Sequence, residues 1–240
     1  LIHRASTDTL LSKLGTTAGD SVVTGKAGTG KTGCLVEFVE QLLTRSIPVL
    51  AIRLDRIEPV STASELGTKL GFEESPALIL AAAAQGQESV LVIDQLDAAS
   101  TTSGRATSFL EVIEGLLIEA RGLRARLPLH VIVACREFDW NNDHRLRTML
   151  PKDHTRVDVG EFTFAEVSET LTAEGFDPTR FQPSQMKLLR LPQNLSLFLG
   201  SGFDRARPPV FNTAIDLFDE YWKEKQRAVA RRASPASDYW

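Results

Sequence analysis

Cysteine is scarce in this 240-residue chain: only Cys34 and Cys135 occur, each inside an apolar, element-like segment. No CxxC pair or clustered histidine accompanies them, which argues against a disulfide framework and a zinc site and for buried free thiols in a reducing compartment. Long apolar runs are missing as well. Ala77 to Ala84 is the longest, far short of the roughly 18 to 20 residues that span a bilayer. Leu1-Ile2-His3-Arg4 leads straight into Ser6, Thr7 and Asp8, so no signal peptide is visible. A soluble, cytoplasmic chain without membrane association is expected. Nor is there a basic excess, since 27 Lys and Arg against 31 Asp and Glu give a net charge of −4. Direct nucleic-acid binding by a broad basic surface is therefore not expected. The local group Arg121, Arg124 and Arg126 reads as a solvated helix end rather than a binding patch. The chain starts at Leu1 and stops at Tyr239-Trp240, and it reads as a piece of a longer protein.

What is present is a rhythm. Short, nearly all-apolar runs alternate with helix-length amphipathic segments, the pattern of βα units around a buried parallel sheet. Strand candidates are Ser21 to Thr24, Pro48 to Leu54, Ser89 to Asp94, Leu129 to Ala134 and Thr155 to Val159. Between them, Leu35, Phe38, Val39, Leu42 and Leu43 form one helical stripe, and Phe109, Val112, Ile113, Leu116 and Leu117 form another. Residues 1–160 are thus expected to fold as a three-layer α/β domain. After Gly160 the strand runs cease and Pro178, Pro183, Pro192 and Pro208-Pro209 punctuate helix-like stretches at Ser184 to Arg190, Asn194 to Leu199 and Asn212 to Arg231. The expectation is a small helical subdomain over 161–232 and a loose tail over 233–240.

Between the first strand and the first stripe lies Gly25-Lys26-Ala27-Gly28-Thr29-Gly30-Lys31-Thr32-Gly33. It fits G-x-x-x-x-G-K-[ST] at every fixed position, in the strand-to-helix context the motif requires. Glycines let the backbone wrap a triphosphate with its N–H groups turned inward, and the following helix points its positive end at the same anion. Lys31 is expected to neutralise the β and γ phosphates, and Thr32 to offer a hydroxyl to Mg²⁺, a cation that needs few protein ligands. Lys26 is either a second cation for the γ-phosphate or an exposed loop lysine. The implied ligands are ATP or ADP and Mg²⁺.

The third strand run ends in Asp94-Gln95-Leu96-Asp97. An acid at the C-terminal edge of a buried strand meets the metal in the crevice where open α/β sheets bind ligands, so Asp94 is the metal candidate. Hydrolysis further needs a group that orients and deprotonates water in line with the γ-phosphate. Gln95 can orient a water but cannot take its proton; Asp97 is the candidate base, or else a structural acid capping the next turn. Arg136, leaving the fourth strand, suits γ-phosphate sensing, with a surface salt bridge to Glu137 or Asp139 as its alternative. His144 and His154 lack a partner pattern and read as surface residues.

Taken together, these features resemble a STAND-class P-loop NTPase, the group that includes NACHT and NB-ARC modules of innate-immune proteins and their bacterial antiphage relatives. Gly25 to Thr32, the acids of Val90 to Asp97, strand-terminal Arg136 and Leu191-Pro192-Gln193-Asn194-Leu195 occur in that family's order. The resemblance implies that Pro192 packs on the adenine and that Arg4 lies near base and ribose. It also implies a five-stranded parallel sheet with the Arg136 strand between the strands of the phosphate loop and of Asp94, followed by a helical lid. Where the family often has Asp-Glu, Asp97 is followed by Ala98; Ala134 and Cys135 stand where Thr or Ser often precedes the arginine, and Arg190 replaces a usual glycine. The function implied is an ATP-binding, slowly hydrolysing switch that controls self-association and an effector, with sensor and effector domains outside this segment, in antiviral defence. The alternatives are an AAA+-like ATPase that remodels protein or loads a helicase and, more remotely, a phosphotransferase kinase.

Overall fold

The computed structural model describes residues 2–99 and 107–232. Five strands, β1 (Asp20–Gly25), β2 (Val49–Arg53), β3 (Ser89–Asp94), β4 (Leu129–Arg136) and β5 (Thr155–Asp158), pair in parallel in the order β2-β3-β4-β1-β5. The Arg136 strand thus lies between the other two, as the resemblance implied. β4 extends two positions past the apolar run because Cys135 and Arg136 pair with Thr24 and Gly25 of β1, a ladder partner that hydropathy does not reveal.

Every residue of β1 and β3 is buried, which follows from covering the sheet on both faces. Alternation assigns the faces. Val22, Leu91, Ile93, Val131 and Val133 join a cluster containing Phe109, Ile113, Leu116 and Leu117 of helix α5 (Thr107–Leu123). Val23, Val90, Val92, Ile132 and Ala134 join one containing Cys34, Leu35, Phe38 and Leu42 of helix α2 (Lys31–Thr44) and Leu10 of helix α1 (Ala5–Leu11). Each Val, Leu, Ile or Phe among them contributes about 1.5 to 3 kcal/mol. Helices α3 (Ala63–Lys69) and α4 (Pro76–Ala84) lie between β2 and β3. Ser75 caps α4, with Pro76 in its first turn. Short helices α6 (Glu137–Asn142) and α7 (His144–Thr148) follow β4. No described helix is long and apolar enough to cross a membrane.

Of the arginine group, Arg126 is exposed as expected, but Arg121 and Arg124 are not solvated. Asp20 opens β1 with a fully buried carboxylate that accepts Arg121 Nε at 2.7 Å and pairs with Arg124. Arg124 Nε also donates to the Leu129 carbonyl at 2.8 Å. An unpaired buried carboxylate would be costly, so the two guanidiniums are held there as its partners. His154 is half-buried, edge-on to Trp140 at 5.5 Å, with its Nδ1 2.6 Å from the Pro151 carbonyl oxygen. His144 is exposed.

Contacts divide the chain into two compact units, one of residues 1–27 and 31–159, the other of 28–30 and 160–240. In the second, described for itself, α8 (Phe164–Ala173), α9 (Pro183–Leu189), α10 (Pro192–Gly200) and α11 (Ala214–Arg232) follow in order. The sequence pattern did not single out α8, although Thr163 and Glu166 form a reciprocal capping box at its start. Phe198 of α10 is the hub: its ring lies 5.0 Å from Phe176, 5.5 Å from Phe181, 5.2 Å from Phe203 and 5.9 Å from Phe211. Such tilted pairs are favoured by the ring quadrupole. The tail 233–240, expected to be loose, lies outside the described residues.

Candidate nucleotide site

β1 delivers the chain to Gly25, and α2 begins at Lys31, so the loop occupies the C-terminal edge of the sheet. Gly28 and Gly30 have φ of +78° and +87°, a left-handed backbone that side chains resist. Close packing demands glycine there too. A Cβ on Gly30 would lie 3.3 Å from Pro192 Cβ, and one on Gly28 would lie 2.7 Å from Gln193 Oε1. The Gln193 N–H donates to the Gly28 carbonyl at 3.0 Å.

Lys31 is buried, and its ammonium donates to the Gly25 carbonyl at 2.9 Å and the Lys26 carbonyl at 3.1 Å. Burial pulls its pKa below the usual lysine value; the Asp97 and Asp94 carboxylates work upward, and Arg136 downward. These carbonyls hold the ammonium at the loop. Thr32 Oγ1 donates to Asp94 Oδ2 at 2.7 Å, and Asp94 Oδ1 accepts the Gln95 N–H at 2.9 Å. A hydroxyl and a carboxylate in contact suit Mg²⁺, which keeps most of its shell as water and phosphate oxygen. Among the described residues no group of three or more His, Cys, Asp or Glu forms a dedicated metal cage.

Immediately after Asp94 the chain turns sharply. Gln95 has φ +61°, an uncommon conformation for a non-glycine residue and one often found at functional sites. A 3₁₀ turn (Leu96–Ala99) then presents Asp97. Its Oδ2 meets Arg136 Nε at 3.0 Å, and its Oδ1 accepts the Arg136 backbone N–H at 3.2 Å. The base candidate and the sensor candidate are thus bonded to each other. Both carboxylate oxygens are engaged, and a base role requires the pair to open. Burial pushes the Asp97 carboxyl above its usual pKa, while the Arg136 backbone N–H and guanidinium pull it down.

Lys26, Ala27, Gln95, Asp97 and Arg136 line one open cleft of about 1030 Å³, together with Asp139 and Asn142 of the β4–α6 corner. Arg4 lies elsewhere in the same unit: it precedes α1 and donates its backbone N–H to Glu37 Oε2 of α2 at 3.2 Å. Pro192 opens α10 and packs on Gly30. Sequence reading missed the support beneath the loop. Thr24 Oγ1 donates to Asp158, and Arg156 Nε donates to Thr24 Oγ1 at 3.1 Å and Asp158 Oδ1 at 2.9 Å. Burial works upward on Asp158, but the Thr24 and Arg156 hydrogen bonds hold its pKa below the usual carboxylate value. A polar residue at the end of an otherwise apolar strand was the available signal. Cys34 and Cys135 are buried free thiols.

A parallel sheet whose glycine loop, lysine, threonine and strand-end aspartate meet at one edge defines a P-loop NTPase. The profile of the ATPase family associated with various cellular activities (AAA) matches residues 21–152, and the chain belongs to that family. It is therefore a nucleotide-binding ATPase domain. Among solved structures it is similar to the Walker-type ATPase of Pyrococcus abyssi, with TM-score 0.57 and 14% identity over 98% of this chain and 77% of that one. It is also similar to the Aeropyrum pernix ORC2 protein, solved as ADPNP and ADP complexes, with TM-score 0.51 and 12% identity over 92% of this chain and 66% of that one. A search of curated protein sequences finds no match.

Proposed function

We propose that this AAA-family ATPase domain is a slow, Mg²⁺-dependent, cytoplasmic ATP switch of the STAND class. In this reading its nucleotide state governs self-association and an effector carried by other domains, in antiviral defence. One observation carries the reading: the position after the metal-binding acid holds Gln95, which can orient a water but not deprotonate it, while the next acid, Asp97, is bonded to Arg136. Such a site binds well and turns over slowly. Lys31 neutralises the β and γ phosphates, Thr32 and Asp94 hold the metal, and the loop N–H groups with the first turn of α2 take the remaining charge. Lys26 and Arg136 face the γ-phosphate end from the cleft. Pro192 and Arg4 flank the base in this reading. Arriving phosphate charge competes with Asp97 for Arg136, which couples nucleotide to the loop after β3.

The ADPNP and ADP in the Aeropyrum pernix relative support adenine nucleotide as the ligand. The family match also favours a second reading, a AAA-type ATPase that remodels protein or loads a helicase. Turnover separates the two: well below about 1 s⁻¹ for the switch, in the ordinary enzyme range of roughly 1 to 10³ s⁻¹ for the remodeller. Titration with mant-ATP and mant-ADP tests the shared site. Lys31→Ala is expected to abolish binding, and equal affinity in wild type and variant would sink the nucleotide reading.

A further inference from the structure

β5 lies at the sheet edge beside β1, and parallel register sets Asp158 against Thr24 and Arg156 against Val22. The three polar side chains therefore share the sheet face that Val22 turns to the α5 cluster. An arginine on an edge strand ordinarily reaches into water, where an ion pair with a neighbour such as Asp158 contributes little. Arg156 reaches inward instead. Its Nε–H is shared between Thr24 of β1 and Asp158 of β5, Nη1 donates to Asn141 Oδ1 at 3.4 Å, and Nη2 lies 3.8 Å from Glu137 Oε1. All three nitrogens of the planar guanidinium are engaged, and only arginine has that fork.

The two ends of this bridge touch the roots of the ATP site. Thr24 immediately precedes Gly25, whose carbonyl accepts the Lys31 ammonium. Glu137 immediately follows Arg136, the N-cap of α6. That helix has six residues, too few to hold itself, and Arg136 gives it no side-chain cap. Trp140 seats one side of α6 in the cluster around α5. Glu137 and Asn141, four positions apart, share another side, and Arg156 holds it. Glu137, Asp139 and Asn142 of the same helix line the cleft together with Lys26, Asp97 and Arg136. A rotation of α6 turns Arg136 along with that wall.

We propose that Arg156 is a positioning residue for ATP hydrolysis: it ties the root of the phosphate loop to α6 and so fixes Arg136 and Asp97 relative to the γ-phosphate. The proposal rests on the reading that places Arg136 at the γ-phosphate end. Displacing a group by about 1 Å can slow a reaction by up to roughly 100-fold. ADP, which lacks the γ-phosphate, is expected to bind as before.

Phosphate release from MgATP is followed in a single turnover with the 240-residue chain in excess, alongside a mant-ADP titration. Arg156→Gln is expected to slow hydrolysis about tenfold and to leave mant-ADP affinity within about twofold. Arg156→Lys keeps the charge but not the fork, and it is expected to stay slow. Thr24→Val and Asn141→Ala remove the two ends of the bridge, and Asn141 is an exposed residue whose loss spares the fold. Each is expected to slow wild-type hydrolysis and neither to slow Arg156→Gln further, because residues that act through one intermediary are not additive. Rates are read at a temperature where circular dichroism shows every variant folded, so a residue that only stabilised the fold would leave them unmoved. Unchanged hydrolysis in Arg156→Gln, full rate in Arg156→Lys, or losses that multiply in the double variants would each overturn the proposal. A wild-type chain that binds mant-ADP but hydrolyses nothing would overturn the hydrolysis reading, and this proposal with it.

Discussion

Removing the Arg136 guanidinium tests the central bond of the site. Arg136 Nε lies 3.0 Å from Asp97 Oδ2, with Asp97 7% and Arg136 56% exposed. At that distance two unit charges attract by roughly 1.4 kcal/mol in water and 5 kcal/mol at an effective dielectric of 20. A guanidinium half in solvent puts the pair near the lower figure, so about 1 to 2 kcal/mol of coupling is expected. The assay is urea unfolding of wild type, Arg136→Ala, Asp97→Asn and the double variant. Arg136→Ala strands a buried carboxylate and destabilises; Asp97→Asn in that background recovers part of the loss. The pH dependence has a definite sign. Without the guanidinium the Asp97 carboxyl, already raised by burial, rises further. A carboxyl raised in the fold binds protons that the unfolded chain has released, so the Arg136→Ala deficit is full at neutral pH and shrinks as pH falls toward the carboxylate range. Coupling below about 0.3 kcal/mol, or a deficit that stays flat on acidification, would refute the reasoning.

Gln95→Glu preserves shape and backbone strain while adding a base beside Asp94, the acid proposed to hold the metal. Turnover is expected to rise about tenfold or more with MgATP affinity nearly unchanged, and unchanged turnover would remove Gln95 from the water's site. Asp20→Asn deprives Arg121 and Arg124 of their buried counter-charge, and a loss of about 2 to 3 kcal/mol is expected from the urea midpoint; an unchanged midpoint would mean the clamp does not stabilise the fold. Burial drives the Cys135 thiol far up and the Cys34 thiol up, so neither is expected to react with a disulfide reagent at pH 8 until urea unfolds the domain. Stoichiometric labelling of native protein would contradict that packing.

Which parts were legible depended on range. The phosphate loop, Asp94 and the sheet could be read because each is written in contiguous residues: β3 runs from Ser89 to Asp94 as expected, and the loop needs only its own spacing. Asp97 with Arg136 was not legible as a pair. Each looked like a separate functional candidate, yet parallel pairing of β3 with β4 brings the two strand ends side by side. The same holds for Arg121 in the last turn of α5 and Arg124 just past it. Their pattern suits a wet helix end, and only the position of β1 gives them a buried Asp20 to hold.

By itself, then, the sequence determined the βα rhythm, the glycine loop between β1 and α2 and the acid that ends β3, because hydrophobic periodicity and glycine spacing act over a few residues. Only the tertiary structure decided who partners whom: Asp97 with Arg136, Asp20 with Arg121 and Arg124, and the phenylalanines around Phe198. Those are contacts between residues far apart in the chain, and their energy comes from removing charge and apolar surface from water together. No local pattern encodes which distant groups will share that dry space.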